Sequence, residues 1–163
     1  MIKSGLCFTT LVIASTLAAP ARAELLAHKD LTAEIAVTIA TTAIATCKTN
    51  GYAVSSTIVG RNGEIIVQIR GDNTNPHTAE NSFKKAFTAR TFRIPSGEME
   101  DRLKKNPQMG AQYLTGFTTG RGALPIKVGN DVIGAAGASG APGGEKDEAC
   151  VKAALDKVAD QLK

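Results

Sequence analysis

Histidine is the commonest protein metal ligand, and this sequence has two, His28 and His77. His77 lies in "IRGDNTNPHTAE", where an apolar run breaks into a loop just before a helical pattern. The first N–H groups of a helix lack intrahelical partners, so Asn75 or Thr78 can cap this one while Pro76 fixes its approach. His77 is then either a solvated loop residue or a free imidazole able to ligate iron. His28 sits in the tail "ELLAHKDLT", with the same two readings. No catalytic constellation accompanies them. There is no G-x-S-x-G around a serine, and the glycine-rich "GASGAPGG" lacks both the Lys-Ser/Thr of a phosphate loop and dinucleotide spacing. "RGD" at 70–72 ends a strand pattern and reads as chance. With no nucleophile paired to a base, the residues point to binding rather than catalysis.

The first 23 residues run from Lys3 through an apolar stretch to Ala21-Arg22-Ala23, the order of a secretory signal peptide. The expected mature domain is 24–163, periplasmic or secreted. Its removal takes Lys plus Arg from 19 to 17 against 15 acids, a charge of about +2. That balance, without a long basic run or interleaved aromatics, argues against nucleic acid. No second apolar segment has membrane length. Cys7 leaves with the signal, and Cys47 and Cys150 remain in an oxidising compartment, with no Cys-x-x-Cys or Cys/His spacing for zinc.

The elements that must position these groups follow from periodicity. Leu31, Ile35, Ile39, Ala43, Ile44 and Cys47 share a helical face between a cap at Asp30 or Thr32 and a stop at Asn50-Gly51. "YAVSSTIVGRNGEIIVQIRG" is a hairpin about Asn62-Gly63. A second helix spans Thr78 to Thr91, and a short exposed one follows with Ser96 as its cap and Glu98–Arg102 and Glu100–Lys104 as i,i+4 pairs. A possible strand near Phe117 precedes a second hairpin, Leu124–Val128 with Val132–Ala138 about Gly129-Asn130-Asp131. After a flexible "GAPGG", Val151, Leu155, Val158 and Leu162 stripe a last helix. The order α-β-β-α-α-β-β-β-α argues an α+β fold, an antiparallel sheet of about five strands with helices packed on it. If the first and last helices lie antiparallel on one face, Cys47 meets Cys150 in a disulfide. Gly134 and Gly137 leave the last strand nearly bare, open to another backbone or a flat ligand.

Three runs in order carry a family resemblance: "VSSTIVGRNGEIIVQIRGDN", "KAFTARTFRIPS" and "GALPIKVGNDVIGAAGASG", followed by the acidic pair Asp147-Glu148. They resemble the GlcG/HbpS-like proteins, which include the PduO-type C-terminal domain. Gly60-Arg61, Gly122-Ala123 and "NTNPH" depart from the usual pattern. The resemblance implies a profilin- or roadblock-like layering, self-association into dimers or larger rings, and in several members a bound haem. An exported haem-binding protein, sensing or carrying haem, is therefore expected, with His77 the preferred axial ligand and His28 the second candidate. Arg70, Lys85, Arg90 and Arg93 would pair with propionates, and Phe92, Gly134 and Gly137 would line the slot. The alternatives are an accessory binder of another small planar organic ligand, or a small enzyme holding a carboxylate substrate on Arg70 and Arg93.

Overall fold

A computed structural model describes residues 23–163. The expected signal segment falls almost wholly on residues 1–22 and lies outside the described residues. Helix α1 (Ala33–Thr49) begins where Thr32 Oγ1 accepts the Ile35 N–H at 3.3 Å. It buries Ala36, Ile39, Ala40, Ala43 and Cys47, the face the periodicity predicts. Strands β1 (Ser55–Val59) and β2 (Ile65–Ile69) form the first hairpin. Helix α2 (Thr78–Phe92) follows, then α3 (Ser96–Lys105) and a 3₁₀ turn at Gly110–Tyr113. Strands β3 (Ala123–Val128) and β4 (Asp131–Ser139) make the second hairpin, and α4 (Gly144–Lys157) with a 3₁₀ turn at Ala159–Gln161 closes the order.

The fold is α+β, as expected: one antiparallel sheet in the order β2-β1-β4-β3 with helices on it. The sheet has four strands rather than about five. The segment near Phe117 stays irregular and docks on α2, where the Thr88 hydroxyl accepts the Thr118 N–H at 3.0 Å and donates to its carbonyl at 3.1 Å. Beside it β3 is an edge strand containing Pro125, which lacks the N–H a further strand would need. Ser96, expected as a cap, is instead the first residue of α3; its hydroxyl accepts the Ala123 N–H at 3.0 Å and so ties α3 to β3.

Two layers of helix cover the sheet. On one face α1 and α4 pack over Ile58, Ile126, Ile133, Ala136 and Ala138. On the other, α2 lies over Val59, Ala123 and Ala135. Cys47 and Cys150 are joined on the first face, as the antiparallel placement of α1 and α4 requires. On the second face, a Cβ on Gly137 would overlap the Ser82 carbonyl and lie 2.9 Å from the Ala86 nitrogen. The bare strand thus admits a helix backbone. Gly137→Ala is expected to lower the unfolding free energy by about 1–3 kcal/mol through overpacking, measurable by urea denaturation.

Candidate functional site

The sheet's two ends carry different chemistry. Where β1 begins and β4 ends, the N-termini of α2 and α4 and the loop before β3 enclose a cleft of about 720 Å³. His77, the N-cap residue of α2, lies on its wall; its side chain makes no capping hydrogen bond and is exposed. Lys85, two turns further on, reaches the floor. Its ammonium donates to Asp147 Oδ2 at 2.7 Å and to the Ala138 carbonyl at 3.1 Å. The Ala141 N–H donates to Asp147 Oδ1 at 3.0 Å. This pair is nearly dry, with side chains 5% and 3% exposed. One carboxylate therefore holds α2, the end of β4 and the glycine-rich loop together, so "GAPGG" is a pinned wall rather than a slack linker. Burial drives the Asp147 carboxyl above the ordinary aspartate range, against the pull of the Lys85 charge.

The rest of the wall is polar. The Asn81 amide donates to Ser139 Oγ at 2.9 Å. Lys104 pairs with Glu100 at 2.7 Å. Arg121 faces Asp101 at 3.5 Å and Glu148 at 3.7 Å. Burial also raises the Glu148 carboxyl, offset by Arg121 and Lys85. Apolar lining comes from Ala141 and Pro142 on the loop.

The sequence-derived residues divide between the two ends. His77 and Lys85 meet in the cleft. Arg90, Phe92 and Arg93 lie at the far end of α2, about 20 Å along a helix of this length. There Phe92 packs edge-on against Phe117 at 5.8 Å, and desolvation, then the charges of Arg93 and Arg61, lower the Arg90 pKa. The tail bearing His28 joins that end, because Arg61 donates both to the Lys29 carbonyl at 2.6 Å and to Asp131 at 2.7 Å. Asp131 and Ser139 bound β4, about 26 Å apart at strand spacing. The two histidines therefore cannot serve one site within a chain. Arg70 donates to the Thr74 carbonyl at 2.7 Å and does not line the cleft. Gly134, like Gly137, faces backbone: a Cβ there would meet the Val59 carbonyl at 2.5 Å. Sequence reasoning missed Asn81, Lys104, Arg121 and Ser139; for Asp147 the signal present was the acidic pair of the family pattern. Among the described residues, no three His, Cys, Asp or Glu side chains are grouped to hold a metal ion.

Fold and cleft together define a small single-sheet α+β domain with a cation-bearing cleft at the junction of two helix starts. The model of the family described as "Haem degrading protein HbpS-like" matches residues 31–156, and the chain belongs to that family. The crystal structure of HbpS superposes with a TM-score of 0.79 at 31% identity, covering 86% of this chain and 99% of that one. The Klebsiella pneumoniae protein ORFY gives 0.77 at 23% identity, covering 85% and 97%. A structure described as a PduOC:haem complex gives 0.71 at 20% identity, covering 77% and 93%. These last two share the fold. No curated protein matches the chain significantly.

Proposed function

We propose that this chain is an exported haem-binding protein, acting as a carrier or sensor of haem in the periplasm or outside the cell. The observation that carries the reading is His77: an imidazole with no capping bond, on the wall of a cleft large enough for a cofactor-sized ligand. The residues present meet the group's need for an iron donor, while each cation of the lining is already paired with an acid. His77 supplies an imidazole nitrogen for iron, and the propionates of a bound haem would have to compete with Glu100, Asp101, Glu145 and Asp147 for Lys85, Lys104 and Arg121. Apolar contact is limited to the Ala141-Pro142 rim, so one porphyrin face stays open in a single chain, which self-association would cover. The family's description and the haem-bound PduOC relative support the same reading. Export is supported by the signal-like first 23 residues and by the Cys47–Cys150 bridge. Among the described residues no helix is long and apolar enough to cross a membrane.

Adding hemin to the mature protein is expected to give a Soret band, which His77→Ala shifts and weakens by about tenfold or more in affinity. His28→Ala is expected to leave it unchanged. A band insensitive to His77 but altered by His28→Ala would move the site to the opposite end of the sheet. Bleaching of the band with time would identify degradation, the activity named in the family's description.

A further inference from the structure

The far end of the sheet gathers three guanidiniums around one acid. Arg61 donates to both Asp131 oxygens, at 3.1 and 2.7 Å, and to the Lys29 carbonyl. Neither Arg90 nor Arg93 forms an ion pair among the described residues. All three arginines nevertheless act on Asp131: the Arg61 hydrogen bond holds its carboxyl below the ordinary aspartate range, and the charges of Arg90 and Arg93 add to the effect. Glu64, the other acid whose charge reaches Arg90, is turned into the hairpin, where it accepts the Asn62 N–H at 2.9 Å. Two carboxylates against three guanidiniums leave a surplus positive charge. Of the four buried side-chain polar atoms without a hydrogen-bond partner among the described residues, two are Arg61 Nε and Arg90 Nε. The dipole of α2 accounts for positive charge near its C-terminus, but not for donors shut away from water, which call for an acceptor. Arg93 is held at φ 59°, in the left-handed cap position that glycine or asparagine usually occupies. An arginine kept there, at a backbone cost, adds a third guanidinium to the same end.

We propose that Arg90 and Arg93, backed by Arg61, form an open binding site for a phosphate-type oxyanion, either free phosphate or the phosphate group of a larger molecule. A carboxylate has two oxygens, which one guanidinium fork occupies, as Arg61 occupies Asp131. A phosphate offers oxygens enough for two forks at once, and Arg90 and Arg93 supply them. Burial, then the charges of Arg93 and Arg61, disfavours the Arg90 cation; a bound anion relieves that penalty. The site lies about 20 Å along α2 from the His77 cleft, and it stands independently of the haem reading.

Proton–nitrogen correlation spectra of the mature protein, read at the arginine Nε–H signals while inorganic phosphate is added at constant ionic strength, test this directly. The Arg90 signal is expected to shift and to saturate with a Kd of about 1 mM, the range of a few charge-assisted hydrogen bonds in an open site. Arg90→Gln and Arg93→Gln are each expected to weaken phosphate binding about tenfold. Arg93→Gly guards against a mere loss of folding: it relieves the left-handed backbone, so the melting temperature is expected to hold while phosphate affinity falls about tenfold. Glycerol phosphate separates the two sources of the anion. Tighter binding than inorganic phosphate assigns the site to a phosphate carried on a larger molecule, and equal or weaker binding assigns it to the free ion. The proposal is overturned if the arginine signals do not saturate, if chloride moves them equally, or if acetate binds as tightly as phosphate. An Arg93→Gly chain that binds phosphate like wild type overturns it as well.

Discussion

Lys85→Met is expected to lower the unfolding free energy by roughly 3–5 kcal/mol, because it strands the Asp147 carboxylate in a buried site without its counter-charge. Asp147→Ala should cost about as much, leaving the Lys85 ammonium with one backbone acceptor at Ala138 and the Ala141 N–H with none. The informative comparison is the double variant Lys85→Met/Asp147→Leu. Replacing both members of a buried pair by apolar groups of similar volume is often neutral or stabilising, so its melting temperature should return close to that of wild type. Chemical denaturation of the four chains closes a double-mutant cycle. Singles that lose less than about 1 kcal/mol would show that water reaches the pair, as at exposed ion pairs. A stable double variant that binds hemin weakly would separate the pair's part in shaping the glycine-rich wall from its part in holding the fold.

Reduction of Cys47–Cys150, or substitution of both cysteines by alanine, is expected to lower stability by about 4–5 kcal/mol. The bridge spans 103 residues, and the chain-entropy cost of so long a loop falls on the unfolded state. Both sulfurs are fully buried between α1 and α4, so the melting temperature should fall only once the reductant has reached them. Thermal melts with and without reductant, with the double alanine variant as reference, check the size of the effect. An unchanged melting temperature would mean that packing of the two helices alone fixes their contact. The bridge lies on the face of the sheet opposite α2, so reduction should alter hemin affinity less than it alters stability.

Local signals carried much of the architecture. The helical stripe ending at Asn50-Gly51, the hairpin about Asn62-Gly63 and the second hairpin about Gly129-Asn130 are each set by neighbours in sequence, and each forms. The Glu98–Arg102 and Glu100–Lys104 pairs form at 2.7 Å for the same reason. What local pattern does not encode is which polar residues the tertiary fold encloses. Lys85 has the spacing of an ordinary helix-surface lysine and becomes buried because Asp147, 62 positions later, arrives opposite it. Asp147 reads as a first-turn acid complementing a helix dipole, and it fills instead the space between a strand end and a loop. The site residues divided for a related reason. Arg90 and Arg93 are close to Lys85 in sequence, but one 15-residue helix carries them to the other end of the sheet. Arg121 lies in an irregular loop where periodicity has nothing to say, and its partners Asp101 and Glu148 come from α3 and α4, which only the tertiary fold brings to it.

The placement of the two cysteines bears on how a cell or an experimenter can follow this chain's maturation. All four strands lie between Cys47 and Cys150, so the folded sheet is what holds the sulfurs together, while in the unfolded chain a loop of this length closes seldom. Bond formation is therefore expected to follow assembly of the sheet rather than to guide its start. The fraction of chains whose thiols still accept an alkylating reagent, taken at intervals after oxidant is added, is then a running count of molecules that have not yet closed their sheet.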